Sequence, residues 1–433
     1  MVYSRTSKKE KGKIARRRRI RNLVLLNAAF ACMIGGILLV RYLSDSDFRF
    51  GNKPTSTSFS PHPSPIQTTG SEHKEDQQPP SASDSADPAT TGEQTGQPNA
   101  TESPADKADV ITLALVGDIL PASSVARLME KNGYDYPYRE SAHLLQAADI
   151  AAGNLETAIT DRGTPEADKE YVYRGPKQAL PAIKEAGFDV LSLANNHSMD
   201  YGWIGLQDTM AALEEHGLRF MGAGHDEAEA YAPAYLEVNG FKVAFIGISN
   251  VIWKTYWKAT QDRPGMAEAY DPTRAIAAIE EADRHADLVV VMVHWGTEYT
   301  DRPEPYQVKK GRQFIDAGAD LVIGSHPHVL QGFEAYKGRW IAYSLGNFVF
   351  SGTKSPLSAE TGVLTAACRK SGECSLHFQP MLAKAAQPAP MDEAAAKAIL
   401  AKLASVSTSV KIEENGNIAE NDEIRDQTNM GSP

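Results

Sequence analysis

Apolar positions along this chain first fall into regular segments at Val110. ITLALVG is a short, β-branched apolar run that predicts a buried strand ending at Gly117-Asp118. PASSVARLMEKNG predicts a helix, and ADIAAGNLET a strand running into a loop. The alternation continues with an amphipathic helix in ALPAIKEAGF, a buried strand in DVLSLANNH, a helix in IGLQDTMAALEEHG that closes on Gly217, and a strand in FKVAFIGIS. TRAIAAIEEADRHA and KKGRQFIDAGA predict further helices; DLVVVMVHWG, DLVIGSHPH and WIAYSLGNFVF predict strands. Strands separated by helices of about 10–15 residues indicate an α/β domain with βαβ crossovers, here over residues 110–352. Residues 353–412 carry weaker signals, a hairpin through GVLTAACRKSGECSLHFQP and a helix at DEAAAKAILAKLASV, expected to pack on that domain. Residues 413–433 read as a polar, disordered tail.

Upstream of Val110 the pattern is different. LVLLNAAFACMIGGILLV, from Leu23 to Val40, has no charge over about 18 residues, near the minimum for crossing the hydrocarbon of a bilayer. Residues 23–43 are therefore expected to form a transmembrane signal-anchor helix. A cleaved signal peptide has the same basic-then-apolar design, but this run is longer than a usual apolar core and ends in Arg41-Tyr42-Leu43 without a small-residue cleavage site. Residues 44–109 turn to Ser, Thr, Pro, Gly and Gln and cannot bury enough apolar surface to offset chain entropy, so they read as a disordered tether.

Charge sharpens this picture. The formal net charge is −11, yet ten Lys and Arg face a single acid, Glu10, before Asn22, so the remainder carries about −20. A basic tail at residues 1–22 stays in the cytoplasm, which places the folded domain outside the cell membrane on a single-pass anchor. The acidic body excludes nucleic acid as a partner. Three cysteines are too few for a disulfide framework; Cys368 and Cys374 can close one small loop in an oxidising compartment or remain free thiols.

Ligand sites in open α/β sheets form beyond the carboxyl ends of the strands, so polar residues there carry the chemistry. The apolar runs end at Asp118, at Asn154 and Glu156, at Asn195, Asn196 and His197, at His294, and at His326 and His328. Singly, each has an ordinary reading: Asp118 as a helix cap, the asparagines as turn formers, His294 as a core histidine. Together on one sheet edge they supply carboxylates, an amide and imidazoles, the ligand set of hard to borderline divalent metals. In an extended segment, residues two apart face the same way, so His326 and His328 are expected to point at one locus.

LALVGD, GNLET, FDVLSLANNHSMDYGWIGLQDT, HWGTEY, IDAGADLVIGSHPHVLQGFE and YSLGNFVF together resemble the CapA (PgsA) family of poly-γ-glutamate capsule biosynthesis proteins, related to calcineurin-like metallophosphoesterases. The resemblance spans about Val110 to Phe350. It implies a four-layer αββα metallophosphatase-like sandwich with one or two divalent ions (Mn²⁺, Zn²⁺ or Fe²⁺) at the strand ends. It also implies Asp118, Glu156, Asn196, His294, His326 and His328 as metal ligands, and His197 as the acid that protonates a leaving group. Two positions depart from the phosphoesterase pattern: Leu120 stands where a His is usual, and Glu156 replaces the usual bridging Asp. Glu298 is a candidate to fill the gap, and Arg174, Asn195 and Glu298 are candidates for contacting substrate. A structural salt bridge is the alternative for Arg174, and Gly346-Asn347 read as a chain turn. With two metals, a bridging water becomes acidic enough to attack a phosphoryl or acyl group. Three functions follow: an accessory component of poly-γ-glutamate synthesis or export that meets synthase subunits, the bilayer and the anionic polymer; a surface metallohydrolase; or a non-catalytic, metal-stabilised polymer-binding module.

Overall fold

The computed structural model describes residues 109–350 and 355–421. The expected basic tail, the membrane helix at 23–43 and nearly all of the linker lie outside the described residues. Among those described, no helix is long and apolar enough to cross a membrane.

The chain builds half of one sheet, then all of a second, then returns to the first. β1 (Val110–Ile119), β2 (Ile150–Leu155), β3 (Val190–Ser192) and β4 (Arg219–Met221) lie side by side in parallel. The second sheet takes β5 (Ala234–Val238), β6 (Phe241–Ser249), β7 (Leu288–His294), β8 (Leu321–Ser325), β9 (Phe333–Tyr336) and β10 (Arg339–Ala342) in the order β9-β10-β8-β7-β6-β5. β11 (Asn347–Val349), β12 (Glu360–Arg369), β13 (Cys374–Lys384), β14 (Gln387–Pro390), β15 (Val410–Ile412) and β16 (Asn417–Glu420) complete the first sheet.

The strands are apolar on both faces because both faces are covered. Ile111, Leu113 and Leu115 of β1 meet Leu288, Val290 and Met292 of β7 in a core between the sheets. The intervening Ala114 and Val116 pack outward with α1 (Ser123–Asn132), α2 (Ala179–Glu185) and α3 (Gly202–Glu215). Val289, Val291 and Val293 pack on the opposite outside with α4 (Thr273–Asp283) and α5 (Pro305–Asp316). This is the period-2 alternation of strands with each face claimed by a different layer. α6 (Glu393–Val406) sends Ile399, Leu400 and Leu403 into the core shared by the two sheets. The result is a mixed α/β, sheet-rich fold.

Three sequence expectations are corrected. WIAYSLGNFVF is two strands in different sheets: β10 belongs to the second and β11 pairs with β1 in the first. The crossing lies at Tyr343–Gly346, where Gly346 takes φ +67°, outside any strand geometry. The C-terminal hairpin does not sit on the domain from outside, because β12 pairs directly with β1, Leu113 opposite Ala366. The described part of the polar tail, residues 413–421, is structured, since β16 pairs with β13 and β15. Its strand is only four residues long and half polar, too short to leave a periodic signal.

Candidate metal centre

Two rows of residues in matching register create the site. In the first sheet Asp118 pairs with Asn347 on one side and Asn154 on the other, and Asn154 pairs with Ser192. In the second sheet Ser249, His294 and Ser325 form the corresponding row. The polar strand ends therefore come from two stacked sheets and not from one sheet edge as the pattern suggested. The physical cause is the long excursion from β5 to β10, which puts β7 and β8 in the second layer.

Glu156, just past β2, is the centre of the group. It is fully buried, and among the described residues no N–H or hydroxyl donates to either of its carboxylate oxygens. Ligand atoms of Glu156, His326 and His328 lie within 4.8 Å of one another. His294 Nε2 is 3.8 Å and His328 Nε2 4.0 Å from Glu156 Oε1. Burial, and then the Asp118 carboxylate, hold the Glu156 carboxyl well above the usual carboxylate range. His326 Nδ1, in the same group, is likewise buried without a partner. Uncompensated buried polar atoms are costly, and a cluster of acceptors facing one another is the donor set a cation satisfies.

The histidines differ in how they are held. His328 Nδ1 lies 2.9 Å from Asn347 Oδ1 and 3.3 Å from Asp118 Oδ2, both acceptors, so this nitrogen carries the proton. Burial opposes charge on His328, but Glu156 and Asp118 outweigh it and bring its pKa to about 10. Burial and the neighbouring His328 bring His326 down to about 3. His294 Nδ1 sits 2.9 Å from Ser325 Oγ and 3.3 Å from Asn154 Nδ2, while its Nε2 lies 2.8 Å from Asn196 Oδ1. That network is satisfied by a neutral ring protonated on Nε2. Burial, then His326, lower its pKa well below the ordinary value.

His326 and His328 do converge, with ring centroids 5.8 Å apart, but for a different reason than the one expected. β8 ends at Ser325, and the two histidines take φ +96° and +57° on either side of Pro327. The chain is not extended there, so left-handed turns aim the rings, a strained arrangement of the kind found at functional sites.

His197 lies 2.7 Å through Nδ1 from Asp200 Oδ2, with Tyr173 against the ring at 4.4 Å. Burial lowers its pKa and Asp200 opposes that shift. Beside it is a group that the sequence did not single out. The Lys169 ammonium, almost fully buried, donates to Asp200 Oδ1 and the Asn196 carbonyl and lies 3.1 Å from His197 Nδ1. Asn154, Asp200, Ser325 and Asn347 also belong to the working site. For Asn347 the signal was present, since YSLGNF places an amide at a strand end, but it was read only as a turn.

The three substrate-contact candidates sit in different settings. Asn195 is fully buried; its amide donates to Leu155 O at 2.8 Å and to Asn154 Oδ1 at 3.0 Å, and its Oδ1 accepts from His197 N at 3.0 Å. Every polar atom of that side chain is used to shape the loop. Arg174 stacks on Tyr201 at 3.7 Å and donates to Arg162 O at 3.0 Å, and among the described residues it pairs with no carboxylate. Its contacts are a ring and a carbonyl and not the salt bridge considered above. Glu298 is exposed on the turn after β7, outside the buried group, because Gly296 at φ +91° carries the chain away from the strand end. Leu120 is buried and its N–H donates to Val349 O at 2.7 Å, so the position that departs from the phosphoesterase pattern is occupied by core packing.

Residues 112–352 match the family described as "Bacterial capsule synthesis protein PGA_cap". The chain is 36% identical over 285 residues to the PGA biosynthesis protein CapA of Bacillus subtilis, covering 65% of this chain and 74% of that protein. It is 35% identical over 291 residues to the capsule biosynthesis protein CapA of Bacillus anthracis, covering 66% and 70%. A probable polyglutamine synthesis accessory protein of Mycobacterium tuberculosis is 32% identical over 284 residues, 56% of this chain and 74% of that one. A 5′-nucleotidase structure from Candida albicans aligns at TM-score 0.35 and 12% identity over 62% of this chain and 51% of its own, a level that supports no inference. The family match covers more than half of the chain and includes every strand-end residue of the site, so this protein belongs to the PGA_cap family of bacterial capsule synthesis proteins.

Proposed function

We propose that this protein is a membrane-anchored, extracytoplasmic component of poly-γ-glutamate capsule synthesis or export, whose domain holds one or two divalent cations between its sheets. One observation carries the metal reading: Glu156 is a buried carboxylate with no hydrogen-bond donor, facing His326 and His328. The names of the relatives support the capsule role. The disulfide between Cys368 and Cys374 supports an oxidising location, and the apolar run from Leu23 to Val40 supports the anchor. The helix–sheet–sheet–helix packing supports a metallophosphatase-like sandwich.

The donors present fit a divalent ion of borderline character: Asp118, Glu156, Asn196, His326 and His328 offer oxygen and imidazole nitrogen, and His294 would join them through Nε2 with its proton moved to Nδ1, where Ser325 Oγ can accept it. Such an ion supplies an electrophile and an acidified water. The chain's own residues do the rest. Asn347 and Asp118 hold the His328 proton on Nδ1, leaving Nε2 available. Asp200 fixes the His197 ring so that the nitrogen not bound to Asp200 can exchange a proton, and Lys169 holds Asp200 and the Asn196 backbone in place.

This His197–Asp200 pair favours a second reading, hydrolysis of a phosphoester or of the polymer's amide, alongside the capsule role. The test uses a His326→Ala/His328→Ala chain in the native host. Loss of surface polymer, with loss of bound metal from the purified protein, is expected. Normal polymer from that strain would overturn the metal-dependent role. Chelation should lower the thermal midpoint of the wild type by roughly 5–10 °C and leave the double variant unmoved.

A further inference from the structure

We propose that the segment 250–264, with Trp203 and Tyr270 against it, is a polymer-docking face beside the metal centre. Its chemistry fits an extended chain of carboxylates separated by short apolar spacers. Identifying that chain as γ-linked polyglutamate rests on the function proposed above.

The first observation is where exposed aromatic surface lies. Trp203, Trp253, Tyr256 and Tyr270 are each 40–49% exposed, whereas soluble surfaces rarely leave such rings uncovered together. Trp203 opens α3 beyond β3, Trp253 and Tyr256 follow the carboxyl end of β6, and Tyr270 lies two residues past Glu268, which bridges to Ser249 at that same strand end.

The second observation is continuity. Segment 250–264 carries Trp253 and Tyr256, and its Arg263 lies over the Trp203 ring at 5.6 Å. Its Lys258 lies over Tyr270 at 4.9 Å, and Ile252 N–H donates to Tyr270 Oη at 3.0 Å. The segment is fastened to the site at both layers. Asn250 N–H donates to the His294 carbonyl at 2.8 Å, buried Trp257 lies 5.2 Å beneath the Lys169 ammonium, and Tyr256 Oη donates to Glu166 at 2.8 Å.

The third observation is the pairing of charge with ring. Lys254 with Trp253, Lys258 with Tyr270 and Arg263 with Trp203 each set a cation against an aromatic face. A γ-linked glutamate chain repeats the complementary unit, a pendant carboxylate next to main-chain methylenes and an amide plane. The ring takes the methylenes and amide, and the cation takes the carboxylate. Such a face can hold a polyanion without a large positive field, as a body of about −20 requires. Lys258 is paired with Glu268 at 3.2 Å, so Lys254 and Arg263 are the cations offered to the polymer; of the other acids at hand, Glu166 accepts from Tyr256 and Asp262 from Thr260. Nucleic acid fits less well, because duplex or strand binding draws on many phosphate-neutralising cations.

The experiment titrates the full-length chain with γ-linked glutamate oligomers, using α-linked oligoglutamate of equal length and charge as the comparison. Tryptophan fluorescence and calorimetry are the readouts. The γ-linked oligomer should bind more tightly than the α-linked one. Trp253→Ala/Tyr256→Ala, and separately Trp203→Ala, should weaken it by about tenfold or more with metal uptake unchanged. These side chains are exposed, and near-ultraviolet circular dichroism from buried Trp257 checks the fold of each variant. Wild-type affinity in both variants overturns the docking face. So does equal binding of the two oligomers that vanishes with salt, or a loss in the variants of binding to anionic vesicles instead of oligomer. Each of these results leaves the capsule role intact, because that role is read from polymer production by the His326→Ala/His328→Ala strain.

Discussion

Asn347 Oδ1 and His328 Nδ1 lie 2.9 Å apart, joining the first strand after the sheet crossing to the second of the two converging histidines. Asn347 is itself fixed by donating to the Ser358 carbonyl at 3.2 Å. A ligating imidazole is oriented by the partner of its other nitrogen, and removing that partner typically lowers metal affinity by about 10–100-fold. Asn347→Ala should therefore weaken Mn²⁺ or Zn²⁺ binding by that factor in calorimetric titration. Affinity equal to wild type would remove Asn347 from the site.

Much of this site was legible because buried strands are apolar until they end, so a polar residue at the end of such a run stands out. Asp118, Glu156, His294 and the His326/His328 pair were visible for that reason. Lys169 was not, because DRGTPEADKE is an irregular acidic loop and nothing local marks one lysine as buried. Its role follows only from the fold that brings it onto Asp200. The distribution of strands between two sheets was equally hidden: sequence fixes which residues are apolar on both faces, but not which layer covers each face. Gly117 shows the same limit. It reads as a strand terminus, yet a Cβ there would come within 1.9 Å of the Gly346 carbonyl, where β1 and β11 meet.

Lys169 and Asp200 form an ion pair with side chains 5% and 0% exposed. Removing one member of a buried pair leaves the other charge uncompensated, a loss of about 3–5 kcal/mol. Lys169→Met should cost that much in urea denaturation. The Lys169→Met/Asp200→Asn double variant should cost clearly less than the sum of the two single changes. Strict additivity would show that the pair does not act as a unit.

Cys368 and Cys374 face each other across the β12–β13 hairpin, six positions apart in sequence, and are bonded. Chain entropy for so short a loop gives about 2 kcal/mol. Cys368→Ser/Cys374→Ser should lower the unfolding free energy by about that amount. Cys368 pairs with Ile111 at the start of β1, while Asp118 is seven residues further on, about 23 Å along a strand. Cation uptake should accordingly be unaffected, and weakened metal binding in this variant would contradict the separation.

Proton linkage gives the most direct reading of the centre. Without a cation, Glu156 is held well above the usual carboxylate range, by burial first and then Asp118, and His328 titrates at about 10. With His328 at about 10 the pair retains at least one proton at pH 7, whereas His326, brought to about 3, contributes none. A bound divalent ion needs the Glu156 carboxylate and the His328 Nε2 lone pair, so its entry expels about one to two protons from this coupled pair. Each proton expelled adds about one decade of affinity per pH unit. Affinity should thus rise between pH 6 and 8 and fall as the solution is acidified. Calorimetry in two buffers of different ionisation enthalpy counts the protons directly. Glu156→Gln should abolish about one of them, and an affinity independent of pH across that range would place the cation elsewhere.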